Sequence, residues 1–231
     1  MRNNLKQIAV SILTIVLLVG VVAFFYALEG VGAVQETFAV EGYKVLVDAG
    51  HGDPDGGTVG PITGLRESDI NISVAKYLQE KLEAAGVEVV MTRTDSNAIA
   101  DTKSDDMNLR REIIASSGQD ITVSIHQNFF EDSKVHGPQV FYAEGSVEGE
   151  KLAACIQKYL NEDLNPNAPR TQMASDYFIV NSGTAPAVIV ECGFLSNPEE
   201  EQLLKKKKYR LRIVDSIIKG IEEYAQMTAG E

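Results

Sequence analysis

Apolar positions recur along the chain in two rhythms. Short apolar or β-branched runs at Lys44 to Asp48, Val87 to Thr92, Ile121 to Ile125, Gln139 to Tyr142, Tyr177 to Val180 and Ala187 to Val190 predict strands. Between them the apolar residues fall at helical spacing. Ile70, Val74, Tyr77, Leu78, Leu82 and Ala85 predict a helix stopped by Gly86, with Ser68 or Asp69 as its expected cap. Leu109 to Ser116 predicts a second helix, and Leu152, Cys155, Ile156, Tyr159 and Leu160 a third. Asn197, followed by Pro198 and the acids Glu199 to Glu201, opens a short helix. Ile213, Val214, Ile217, Ile218, Ile221 and Tyr224 give the last helix. Residues 52–66, with five glycines and two prolines, and the polar residues 94–107 predict loops. Strands alternating with helices imply a single α/β domain with a mixed, mostly parallel sheet of about six strands flanked by helices.

One apolar run stands outside this pattern. Arg2 and Lys6 precede an uncharged stretch from Gln7 to Leu28, apolar from Ile8 onwards and long enough to span a bilayer. Two fates are open: a retained signal anchor, or a cleaved signal peptide with Val31-Gly32-Ala33 as its cleavage site. The expected organisation is that segment over 1–33, a tether over 34–42 and the folded domain over 43–228. The expected location is extracytoplasmic, membrane-anchored or secreted.

Charge narrows the class of partner. The formal net charge is −12, and the residues beyond Ala33 carry 32 acidic against 19 basic side chains. Nucleic acid, which needs a basic face, is not an expected partner. The two cysteines, Cys155 and Cys192, have no zinc-finger spacing. A disulfide between them stays open in an extracytoplasmic location, although Cys155 falls on the apolar stripe of the third predicted helix, where a buried free thiol is the commoner case.

Three residues directly follow or end apolar runs: His51, His126 and Glu191. Glu67 follows a strand-to-helix loop. In an open parallel sheet such positions meet at the carboxyl ends of the strands. Gly50 and Gly52 around His51 permit backbone angles and close approaches that other residues resist. Two histidines and a carboxylate with an open fourth position suit a catalytic zinc, which would lower the pKa of water to about 7. A further carboxylate, Glu191, is then placed to shuttle a proton. Asn128 or Asp48 is the expected group that orients the imidazoles. His136, in a polar stretch, is read as a surface residue.

Four motifs in order carry a resemblance. They are Asp48-Ala49-Gly50-His51-Gly52, Gly64-Leu65-Arg66-Glu67 with Asn71, Ser124-Ile125-His126-Gln127-Asn128, and Val190-Glu191-Cys192-Gly193-Phe194-Leu195-Ser196-Asn197. Together they resemble the zinc-dependent N-acetylmuramoyl-L-alanine amidases of the amidase-3 type over about residues 43–226. The resemblance implies cleavage of the amide between muramic acid and L-alanine in peptidoglycan, with one Zn2+ per chain. It implies His51, Glu67 and His126 as ligands and Glu191 as the catalytic glutamate. Asn71, Asn128, Arg93 and Arg111 match positions expected around the substrate. Asp53 stands where the family usually has a second glycine, Gln127 replaces a small residue, and Ala115-Ser116 replaces an Ala-Asn pair.

A short domain with no wall-binding module, and only ten residues between His126 and Gly137, looks like the germination-specific (CwlD-type) amidases of endospore formers. That implies stem-peptide removal during cortex modification in the forespore. A vegetative autolysin of the same chemistry, and a low-activity peptidoglycan-binding member needing an accessory activating protein, stay open. A cysteine hydrolase built on Cys192 is the rival chemistry; no basic neighbour activates that thiol.

Overall fold

In a computed structural model of the chain, residues 42–229 are described. The expectations for the segment 1–33, and nearly all of the tether, fall outside them. Among the described residues no helix is long and apolar enough to cross a membrane.

The elements run β1 (Lys44–Ala49), α1 (Glu67–Ala84), β2 (Glu88–Met91), α2 (Lys103–Ser116), β3 (Ile121–Asn128), β4 (Gln139–Ala143), α3 (Val147–Leu164), β5 (Met173–Ser175), a 3-10 turn (Ile179–Asn181), β6 (Ala187–Phe194), α4 (Pro198–Leu204) and α5 (Lys207–Ala229). The six strands form one sheet in the order β2-β1-β3-β6-β4-β5. β2, β1, β3 and β6 are parallel neighbours. β4 pairs antiparallel with β6 and parallel with β5.

Successive side chains on a strand point to opposite faces, and that parity sorts the core. Val45, Val47 and Ala49 of β1, Ile121, Val123 and Ile125 of β3, and Val188, Val190 and Cys192 of β6 join one cluster with the apolar faces of α1, α3 and α5. The opposite parity gives Leu46 and Asp48, then Thr122, Ser124 and His126, then Ile189 and Glu191. Leu46 and Ile189 pack with Ile114, Ile179 and Val180 in a smaller cluster. Helix α2 buries Asp106, Arg110 and Ile114, one turn apart. The second face of the sheet is thus apolar at one end and polar at the end where β1, β3 and β6 finish.

Four element expectations change. Tyr177 to Val180 is not a strand: Ile179 and Val180 enter a 3-10 turn and pack on the smaller cluster, while the edge strand is Met173–Ser175. The first helix starts at Glu67 after Arg66, which makes no side-chain cap, so Ser68 and Asp69 lie inside its first turn. Helix α2 starts at Lys103, inside the expected loop, because Thr102 Oγ1 accepts from the Asp105 amide at 3.1 Å. Strands β3 and β6 run on to Asn128 and Phe194, so His126 and Glu191 are paired within the ladder. Asn197 caps α4 as expected, its Oδ1 accepting from the amides of Glu199 and Glu200 at 3.0 Å each.

Candidate metal centre

The centre begins with the turn that leaves β1. His51 has φ +59°, a left-handed conformation costly for a residue with a Cβ. Buried guanidinium groups hold the three carbonyls around it. Arg93 donates through Nε to Ala49 O at 2.8 Å and through Nη2 to Gly50 O at 3.0 Å. Arg110 donates through Nη1 to Ala49 O and through Nη2 to His51 O, both at 2.7 Å. Arg110 is itself fixed by Asp106 through Nε and by Asp48 through Nη1, each at 2.7 Å. Asp48 also accepts from Thr92 Oγ1 at 2.6 Å and Ser124 Oγ at 2.5 Å. Burial opposes its charge, yet Arg110 and the two hydroxyls keep its carboxyl below the usual range.

Glu67 is the first residue of α1, where a helix favours an anion. Its Oε2 accepts from the Thr58 amide at 2.9 Å and its Oε1 from the Gln127 amide at 3.1 Å. The same Oε1 lies 2.9 Å from His126 Nδ1 and 3.3 Å from His51 Nε2. Burial would raise this carboxyl; the two imidazoles outweigh it and hold it far below the ordinary glutamate range. On the other side of the His51 ring, Nδ1 meets Asp55 Oδ2 at 2.9 Å, and Asp55 Oδ1 accepts from the Gly57 amide at 3.0 Å. Burial lowers the His51 pKa, but Glu67 and then Asp55 raise it above the usual value.

Two glycines make room for this cluster. A Cβ on Gly50 would stand 2.2 Å from His126 Nε2, and one on Gly57 (φ +64°) would stand 2.6 Å from Glu67 Oε2. One donor atom from each of His51, Glu67 and His126 lies within 4.8 Å of the others. The compact set of two imidazoles and a buried carboxylate, in a cradle that side chains would fill, fits a zinc ion.

Glu191 sits opposite His126 in the β3–β6 register. Its Oε2 is buried with no hydrogen-bond partner among the described residues, and burial pushes the carboxyl up to about 7. It lines, with the three cluster residues, a cleft of about 630 Å³ that also takes in Met107, Tyr177 and Phe178.

Of the other expected positions, Asn71 donates to Gly50 O at 3.1 Å and accepts from Gln127 Nε2 at 3.1 Å, so Gln127 braces Asn71 from beside His126. Arg93 is spent on carbonyls, those already described and those of Ser68 and Asp95. Arg111 stacks 4.0 Å over the ring of Phe178. Asn128 Oδ1 accepts from the Phe129 amide at 2.8 Å. None of these four side chains lines the cleft. The partner of the His51 ring is Asp55, not Asp48 or Asn128. Asp55, Asp106 and Arg110 were missed; the Asp106–Arg110 spacing of four on one helix was the available signal. His136 is exposed, as expected. Cys192 is fully buried on the core face, and burial drives its thiol far up, so the cysteine-hydrolase reading fails. Cys155 and Cys192 are both free.

Comparison with known proteins adds independent findings. The family model described as N-acetylmuramoyl-L-alanine amidase matches residues 45–223. The germination-specific N-acetylmuramoyl-L-alanine amidase of Bacillus subtilis is 34% identical over 193 residues, which cover 80% of this chain and 81% of that protein. The amidase LytC of the same organism is 28% identical, covering 80% of this chain and 36% of LytC. Among solved structures, the CwlD amidase of Clostridioides difficile, in complex with the GerS lipoprotein, superposes with a TM-score of 0.77 at 32% identity, covering 80% of this chain and 99% of that one.

Proposed function

The chain belongs to the N-acetylmuramoyl-L-alanine amidase family, and from that premise we propose that its peptidoglycan amidase activity runs at the His51, Glu67 and His126 centre, with zinc as cofactor and Glu191 as proton carrier. The observation that carries this reading is the convergence of the three donor groups within 4.8 Å beside Glu191, whose Oε2 is buried without a hydrogen-bond partner among the described residues.

His51, Glu67 and His126 would hold the ion, which when bound polarises a carbonyl and makes water a stronger acid. The remaining work falls to the chain itself. Asp55 fixes the His51 ring through Nδ1 and so turns Nε2 towards Glu67. The amides of Thr58 and Gln127 fix the Glu67 carboxylate. Glu191 Oε2 has an unsatisfied lone pair and a pKa near neutrality, so it can take a proton from the attacking water and give it to the leaving nitrogen. An amine leaves poorly without that proton.

The proposed substrate is the amide between N-acetylmuramic acid and L-alanine of the stem peptide. The similarity to a germination-specific amidase supports a role in removing stem peptides during spore cortex modification. The C. difficile relative solved with a lipoprotein supports an accessory protein for this chain too. We place the catalytic domain at 43–228, tethered by 34–42 to an N-terminal signal anchor or signal peptide, outside the cytoplasm. Digestion of purified peptidoglycan followed by mass spectrometry tests the reading. It predicts glycan strands with free lactyl groups and peptides with free N-terminal L-alanine; cleavage within the glycan or the peptide would contradict it.

A further inference from the structure

Lys103 is the first residue of α2 and stands at the rim of the cleft, with its side chain largely exposed. Its ammonium lies 3.6 Å from Asp55 Oδ2, the same oxygen that holds His51 Nδ1 at 2.9 Å. Apart from the histidines, the cations lining the cleft among the described residues are Lys103 and Arg110. Arg110 is buried, with Nε, Nη1 and Nη2 all committed to Asp106, Asp48 and the carbonyls of Ala49 and His51. Among the described residues six carboxylates line the same cleft, those of Asp48, Asp55, Glu67, Asp101, Asp106 and Glu191. A wall of that sign repels an anionic ligand unless a cation faces it.

A stem peptide is such a ligand. When the residue after L-alanine is a γ-linked glutamate, its α-carboxyl is free or amidated. That group lies one Cα–Cα step, about 3.8 Å, beyond the residue whose amide is cut. The Lys103 ammonium stands outward of the centre, beyond the Asp55 carboxylate and the His51 imidazole. Its exposed face is open to a second anion while Asp55 holds the other side.

We propose that Lys103 is a specificity-determining residue that pairs with the free α-carboxylate following L-alanine, so that acidic stem peptides are cleaved in preference to amidated ones. This rests on the amidase reading above. The pair forms at an exposed rim, so its contribution is modest, about three- to tenfold in kcat/KM.

The test uses the zinc-loaded protein and two synthetic tetrasaccharide glycopeptides carrying L-alanyl-γ-D-glutamate, one with a free α-carboxyl and one with the carboxamide. The ratio of kcat/KM, acid over amide, is the readout. The wild type should show a ratio above one. Lys103→Met should lower the ratio about three- to tenfold, Lys103→Glu should bring it below one, and Lys103→Arg should restore it. A ratio unchanged by Lys103→Met overturns the proposal. So does an equal loss on both substrates, which would mean that Lys103 acts only through Asp55 on His51. Failure of the wild type to cleave either glycopeptide would instead overturn the amidase reading itself.

Discussion

Glu191 is held in a state that the folded protein resists. Its carboxyl is pushed up from 4.5 to about 7, first by burial and with no partner at Oε2. Between those values the folded chain keeps a proton that the unfolded chain has lost. Stability is therefore lost as pH rises from about 4.5 to about 7, and above 7 the full cost of about 3 kcal/mol persists. Glu191→Gln has no charge to bury. In metal-free protein, urea denaturation should show the variant gaining on the wild type by up to about 3 kcal/mol at pH 8, with little gain at pH 4.5; the same difference at both pH values would contradict this. His51 likewise holds its proton more tightly in the folded chain, and there the consequence falls on metal binding. Glu67 and Asp55 raise its pKa despite burial, and zinc needs the neutral imidazole. Zinc affinity should fall steadily as pH drops from 8 to 6 in a competition titration; an affinity that does not change would argue against His51 as a ligand. His51, Glu67, His126 and Glu191 were legible because each adjoins an apolar run or a helix start. The clasp of Arg93 and Arg110 was not, because it acts on backbone carbonyls, and no side-chain pattern records which carbonyls a left-handed turn exposes.

The 52–66 loop shows how one element holds another in place. Glu201 of α4, fully buried, accepts from the amides of Ile62 at 3.1 Å and Thr63 at 2.7 Å and from Thr63 Oγ1 at 2.6 Å. The start of the same loop donates Thr58 N to the Glu67 carboxylate. Glu201→Ala leaves two amides and a hydroxyl without their acceptor, at a cost of about 2–3 kcal/mol, and loosens Glu67. Denaturation and zinc titration on that variant should show both lower stability and weaker zinc binding; unchanged zinc affinity would separate the loop from the site. Local signals identified α4 well, because Asn197, Pro198 and three acids act within one turn. They failed at Tyr177 to Val180, where an apolar run has no strand partner and instead turns to pack Ile179 and Val180 beside Ile189. They also failed at Lys103 to Asp106, where polar residues hid a helix capped by Thr102.

At the scale of the molecule, function follows from sheet parity. Four parallel strands, β2-β1-β3-β6, bring their carboxyl ends to one edge. On the α2 side of the sheet, towards those ends, β1, β3 and β6 carry Asp48, His126 and Glu191 instead of apolar residues. The mostly parallel sheet and five of its six strands were legible from alternating runs; β5 was not, and the run at Tyr177 to Val180 stood in its place. The reversal of β4 against β6 was not, because a buried antiparallel strand has the same apolar pattern as a parallel one. The central claim is that three side chains hold a zinc ion while Glu191 moves the proton. Zinc content and turnover, measured side by side on Glu191→Gln and on the His51→Ala, His126→Ala double variant, test it most directly. Glu191→Gln should keep one zinc per chain while turnover falls about 10²–10⁴-fold, roughly 3–5.5 kcal/mol of barrier, and the double variant should hold no zinc. Near-normal turnover in Glu191→Gln, or full zinc occupancy in the double variant, would contradict the account.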